Sequence, residues 1–182
     1  MEIKRYHTLP DALAEEIIDL FYQTFFESEG AEEAKLIEKL VRELIIDTDP
    51  ALRDVVVALE ADRPIGCIIF TPLYPENEAY SARLLSPVAV HPQFQKRGIG
   101  QQLIAFGKKF LQEENVAVVC TYGDIRYYLK SGFSSVHINK IPAPYTLSMP
   151  EGWLALFLKP EKTVPSVAEM GCVPAFQKPE IW

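Results

Sequence analysis

A chain of 182 residues, 48% hydrophobic and 24% charged, is long enough for one domain with a real core, too short for two of ordinary size, and too rich in aliphatic and aromatic residues to be disordered. Its formal net charge of −7 argues against a general nucleic-acid binder, whose affinity needs clustered Lys and Arg to release counterions. No stretch reaches the roughly 18 to 20 apolar residues that span a bilayer, and the N-terminus MEIKRYHTLPDALAEE has no apolar core of signal-peptide length, so the expectation is a cytoplasmic protein with neither nucleic acid nor membrane as partner.

In chain order, a short strand is expected at residues 3–6, then a helix from near Pro10 capped by Thr8 and Asp11. Leu13, Ile17, Leu20, Phe21 and Phe25 carry its helical spacing as far as Phe26. After the break ESEG, residues Leu36, Ile37, Leu40, Val41 and Leu44 repeat the pattern in a second helix, which stops before the turn Asp47-Thr48-Asp49-Pro50. β-Branched runs at 55–59 and 65–70, around Ala61-Asp62-Arg63-Pro64, predict an antiparallel hairpin. A third strand is expected at 83–90, a helix at 98–112, a strand at 116–120 and a short helix at 125–131 that Gly132 closes as a left-handed cap. Two late strands, 133–137 and 153–158, flank the proline-rich IPAPYTLSMP, and a Pro-rich tail follows Lys159. Strands interrupted by helices, with a hairpin early, make a mixed α/β sheet.

Cys67, Cys120 and Cys172 are odd in number, far apart and without a Cys-x-x-Cys pair, which predicts buried thiols. His7, His91 and His137 lie on separate elements with no ligand spacing, and no metal is expected.

The stretch HPQFQKRGIGQQLI, from His91, places two glycines and two basic side chains between an apolar run and a helix start. Backbone N–H groups at a helix N-terminus lack partners, and glycines let the chain curl close to a ligand, so the arrangement suits an anion, a phosphate ester above all. Gln101, Gln102 and Leu103 after the glycines fail the Walker pattern, which disfavours ATP and GTP; Leu103 in place of a third glycine, with a hairpin before it, disfavours NAD.

The run Gln95-Lys96-Arg97-Gly98-Ile99-Gly100 resembles the Gln/Arg-x-x-Gly-x-Gly/Ala signature of the GNAT N-acetyltransferase superfamily, and LLSPVAVHPQFQKRGIGQQLI resembles that family's strand, turn and helix. GDIRYYLKSGF is similar to its later motif, a tyrosine one helical turn before Gly-Phe, and TYGDIRYYLKSGF with the late WLALFL resembles the YhbS-like branch. The resemblance covers residues 1–158. It implies a single-domain, GNAT-like α/β fold with a mixed, largely antiparallel sheet flanked by helices. The domain is expected at 1–159, with an extension at 160–182 whose apolar residues pack on it or on a second copy in a homodimer.

The resemblance further implies acetyl-CoA as cofactor. Its pyrophosphate would sit over the amides of Arg97, Gly98, Ile99, Gly100 and Gln101, with Gln95 and Lys96 at the turn. Its pantetheine arm would pair with the backbone of Val88, Ala89 and Val90, beside Pro87, which cannot sit inside a regular ladder. The implied reaction is direct attack of a primary amine on the thioester, the acceptor being a small molecule or peptide. Such transfer needs an oxyanion site, here N–H groups near Val88 and Ala89, and a donor to the departing thiolate. Tyr128, four residues before Gly132, matches the family's tyrosine as general acid, with Tyr127 as competitor. The family's strand glutamate corresponds to Ser86, so the base falls to ordered water or to Glu27 or Glu29 at the helical break. The alternative is a CoA-binding interaction module without catalysis.

Overall fold

The computed structural model describes residues 1–182. Its elements are β1 (Glu2–Tyr6), α1 (Asp11–Glu29), α2 (Ala31–Arg42), β2 (Asp54–Glu60), β3 (Arg63–Pro75), β4 (Ala82–Val90), α3 (Ile99–Glu113), β5 (Val118–Tyr122), α4 (Ile125–Tyr128), β6 (Ser134–Ser135), β7 (Trp153–Phe157) and β8 (Met170–Cys172). Hydrogen bonding orders the strands β1-β2-β3-β4-β5-β7-β6, with β8 on β3. β4 and β5 run parallel, whereas β1–β2, β2–β3, β3–β8, β5–β7 and β6–β7 run antiparallel. The chain forms two compact units, Met1–Phe70 with Pro87–Gly107 and Thr71–Ser86 with Lys108–Trp182, and it passes from one to the other inside β3, β4 and α3.

In the first unit, α1 has Pro10 at its N-cap and no side-chain cap, so the expected Thr8 and Asp11 cap does not form. Pro10 instead lends its carbonyl to Ala14 N at 2.9 Å, and Asp11 in the first turn suits the positive end of the helix. The helix also runs past Phe26 to Glu29, with Ser28 Oγ donating to Thr24 O at 3.1 Å. The break is thus Gly30 alone, and ESE is helical. α1 buries Ala14, Ile17, Ile18, Leu20 and Phe21, and α2 buries Ala34, Ile37, Leu40 and Val41, each on one stripe.

The hairpin turns at Ala61 and Asp62, whose φ of 48° and 61° are the left-handed pair of a two-residue turn matched to strand twist. β2 is buried continuously from Asp54 to Leu59, which is the burial of a strand covered on both faces. At its start Arg5 grips the Asp54 carboxylate through Nε at 2.8 Å and Nη2 at 2.6 Å. α3 approaches β3 closely at Gly107, where a Cβ would stand 2.5 Å from the Phe70 ring. Only glycine permits that approach.

In the second unit, β4 begins beside β5 in the register Ala82↔Val118 to Leu84↔Cys120. The strand expected at 133–137 shrinks to Ser134–Ser135, because His137 O receives both Lys140 N at 2.8 Å and Ile141 N at 3.1 Å and the chain turns. The tail contributes β8, which pairs with Leu73–Pro75 and which its Met-Gly-Cys sequence did not announce. Trp182 is buried, donates Nε1–H to Phe176 O at 2.9 Å, lies edge-on to Trp153 at 6.0 Å and stacks on Tyr145 at 6.5 Å. Its carbonyl takes Ser148 N at 2.8 Å and Ser148 Oγ at 3.0 Å, which pins the proline-rich loop. All three cysteines are buried free thiols, and no helix is long and apolar enough to cross a membrane.

Candidate functional site

The first unit holds the basic turn. β4 closes at Val90, and His91 N still donates to Ile65 O of β3 at 3.0 Å. Beyond it His91 Nδ1 accepts from Gln93 N at 3.3 Å, a side-chain cap that starts the descent into the turn. Lys96 and Gly98 then take left-handed backbone, φ 62° and 75°, with Arg97 between them. Alternating left-handed positions swing successive N–H groups toward one concavity. The first helical bond runs from Gln102 N to Gly98 O at 3.0 Å, so the amides ahead of Gln102 have no helical carbonyl to reach.

The turn therefore joins a nest to the positive end of a 15-residue helix. Lys96 and Arg97 are exposed, and the Arg97 guanidinium lies 5.1 Å from the centre of the Phe94 ring. Gln95, Lys96, Arg97, Gly98, Ile99, Gly100 and Gln101 fall in this one turn; Ile99 and Gly100 are buried and offer backbone only. On β4, Ala89 is buried and Val88 and Val90 are half-buried. The Val90 carbonyl is already engaged, by Gln95 Nε2 at 3.1 Å and by Thr24 Oγ1 of α1 at 3.4 Å. The turn presents backbone amides, with the exposed Lys96 and Arg97 side chains at its rim.

The second unit holds the tyrosines. Asp124 caps the four-residue α4, its Oδ1 accepting from Arg126 N at 2.9 Å, and Gly132 closes the following turn in left-handed backbone at φ 91°. Tyr127 is half-buried and Tyr128 buried. The Tyr128 ring packs edge-on to Phe133 at 5.5 Å and to Tyr127 at 5.0 Å. Burial pushes its pKa up to about 12, and Tyr127 adds to the rise. Thr121, wholly buried, donates Oγ1–H to Leu85 O at 2.8 Å. Thr121 was not among the expected site residues, since a β-branched residue ending VAVVCT reads as strand filler.

The acids stand apart. Glu27 and Glu29 lie in the last turn of α1 instead of in a break between helices, and both are exposed. Partial burial and the neighbouring Glu33 raise the Glu29 carboxyl above its ordinary value. Ser86 is half-buried on β4. Two shallow grooves beside α1, about 290 Å³ and 380 Å³, include Asp19 in both, but neither Glu27 nor Glu29 lines them. Burial drives the Cys120 thiol far above its ordinary value, which leaves it protonated and unfit as a nucleophile.

Residues 51–135 match the family model described as an acetyltransferase (GNAT) domain. The uncharacterised N-acetyltransferase YjhQ of Escherichia coli K12 is 31% identical over 120 residues, which span 64% of this chain and 64% of that relative. Among solved structures, the E. coli GNAT family N-acetyltransferase YhbS in complex with CoA superposes with a TM-score of 0.76 at 22% identity, covering 97% of this chain and 92% of the other. A Brucella melitensis GNAT acetyltransferase in complex with acetyl-CoA gives 0.66 at 20% identity, covering 97% and 99%. The fold is shared with both. YhbS is also similar by sequence, 28% identical over 116 residues, which span 64% of this chain and 65% of that relative.

Proposed function

We propose, from the premise that this chain carries a GNAT acetyltransferase domain, that it moves the acetyl group of acetyl-CoA to a primary amine of a small molecule or peptide. The observation that carries the reading is the left-handed pair Lys96 and Gly98 at the mouth of α3. A row of unspent amides at a helix N-terminus suits a pyrophosphate, and the two structural neighbours above were solved with CoA or acetyl-CoA. Arg97 to Gln101 would hold the pyrophosphate by backbone, Gln95 and Lys96 would flank it, and the backbone of Val88 and Ala89 would serve the pantetheine arm.

In the reaction the neutral amine forms a bond to the thioester carbon while the carbonyl pair moves onto oxygen, where the N–H groups of Val88 and Ala89 are the proposed donors. Collapse breaks the C–S bond and expels the thiolate, and the proton lost by the amine passes to ordered water or to Glu27. Tyr128 is assigned to the sulfur. With a pKa near 12 it stays protonated through neutral pH. Full transfer to a thiolate of ordinary pKa about 8.5 runs uphill, so its main contribution is a hydrogen bond that steadies the leaving group.

The test is Tyr128→Phe. Turnover is expected to fall about 100-fold with acetyl-CoA affinity held within about twofold, and wild-type turnover in the variant would remove Tyr128 from the chemistry. The second reading, a CoA-binding module without catalysis, is favoured by Ser86 standing on β4 in place of a carboxylate. Acetyl-CoA binding with no turnover across a panel of primary amines would support it.

A further inference from the structure

Tyr122 closes β5, and its hydroxyl gathers two bonds from one loop. It accepts the Met149 N–H at 2.7 Å and lies 2.8 Å from Ser148 Oγ. Ser148 Oγ also stands 3.0 Å from Trp182 O, where only the serine can donate. A serine hydroxyl has one proton, so the phenol donates to Ser148 and Ser148 donates to the tail. The other end of the loop is held as well: Ile141 O accepts from Trp153 Nε1 at 2.9 Å, and Lys140 Nζ donates to Val164 O. The proline-rich segment 141–150 is thereby fixed at both ends within the second unit.

Gly123 joins Tyr122 to the turn that carries Tyr128. A Cβ added at Gly123 would stand 3.0 Å from Tyr128 Cε2, and one added at Gly152 would stand 3.0 Å from Tyr122 Cε2. Gly123 N donates to Gly152 O at 3.0 Å, which holds the two glycines together. Segment 141–150 contains no charged side chain. Its Pro142, Pro144 and Tyr145 are half-buried, and Met149 is 60% exposed. Asp124, at the start of α4, is engaged by Arg126 Nη2 at 2.7 Å. Such a surface receives an apolar body and offers nothing to offset the desolvation of an extra charge.

We propose that Tyr122 is a positioning residue for the acceptor: by tying down Ser148 and Met149 it sets segment 141–150 as a fixed wall beside Tyr128, and the amine that this wall admits is one carried on an uncharged, apolar body. The inference rests on the acetyl-transfer reading above and narrows its acceptor. A purely architectural role would be to satisfy the Met149 amide, and the two roles separate in the kinetics.

The experiment uses the full chain as wild type, Tyr122→Phe, Ser148→Ala and the double variant. Thiol release from acetyl-CoA is followed with phenethylamine, tryptamine, hexylamine and spermidine as acceptors, and exchange of the Met149 amide with solvent is followed beside it. The wild type is expected to favour the apolar amines over spermidine about tenfold in kcat/KM. Tyr122→Phe should raise the KM for the apolar amines about fivefold, the worth of one hydrogen bond, with kcat and acetyl-CoA affinity held within about twofold, and should speed Met149 exchange. Ser148→Ala cuts the tie to Trp182 and should raise the same KM; the double variant should fall short of the product of the two, as coupled residues require. If Tyr122→Phe does not fold, Ser148→Ala carries the test. A fall in kcat with KM unmoved, or unmoved Met149 exchange, overturns the role of Tyr122. A preference for spermidine assigns recognition to Glu151, exposed just beyond the loop, and overturns the apolar acceptor. No turnover of the apolar amines by protein that binds acetyl-CoA also overturns the inference, and all of these leave the acetyl-transfer reading in place. Absence of acetyl-CoA binding strikes that reading itself and takes the inference with it.

Discussion

Gly98 and Lys96 bend the chain in the same left-handed sense at unequal cost. Lys96 has a Cβ, and its φ of 62° stores on the order of 1 kcal/mol. Gly98 at 75° has no such penalty. A methyl group added at Gly98 would meet nothing nearer than 3.9 Å, so Gly98→Ala probes backbone conformation without a clash. The variant is expected to lose about 1 kcal/mol of stability in thermal unfolding and to bind acetyl-CoA more weakly as the turn relaxes. This turn was legible in the sequence because glycine and basic residues act there through local geometry. Thr121 was not, because its partner carbonyl is 36 residues away and nothing in its neighbours' identities points to it. The choice of Tyr128 as the tyrosine came from spacing to Gly132, whereas its edge-on packing against Phe133 and Tyr127 needed the fold.

At the scale of elements, the apolar stripes of α1, α2 and α3 and the hairpin of β2 and β3 were legible because each repeats over many residues. Ends and short pieces were less so. α1 runs through ESE and ends only at Gly30, whose N–H reaches Phe25 O and Phe26 O at 3.2 Å, and β8 is too short to show a period. The longer α1 carries a cost: no basic residue lies in its last turn, and Glu29 adds negative charge at its negative end near Glu33. Partial burial first, and the Glu33 charge second, hold the folded carboxyl above its ordinary value of 4.5. A raised carboxylate destabilises the fold where it is ionised in both states, and the penalty fades as pH falls through the folded value toward the unfolded one. Glu29→Gln is accordingly expected to raise the unfolding midpoint at neutral pH, and the gain should vanish by about pH 4. A gain that persists in acid would assign the effect to packing instead of charge.

For the whole molecule, the sequence gives a mixed α/β chain without showing where its compact units divide. The passages between units lie inside β3, β4 and α3, in the middle of regular elements where composition does not change. The tail was legible as apolar, but its clamp on Ser148 through Trp182 depends on contacts between distant residues. The basic turn belongs to the first unit and Tyr128 to the second. The account stands first on the turn. Its most direct test is calorimetric titration of the full chain with acetyl-CoA, with NADH and ATP as controls. Saturable binding of acetyl-CoA alone is the predicted result; no binding by protein shown to be folded would contradict the account, leaving the glycine turn as a helix start and nothing more.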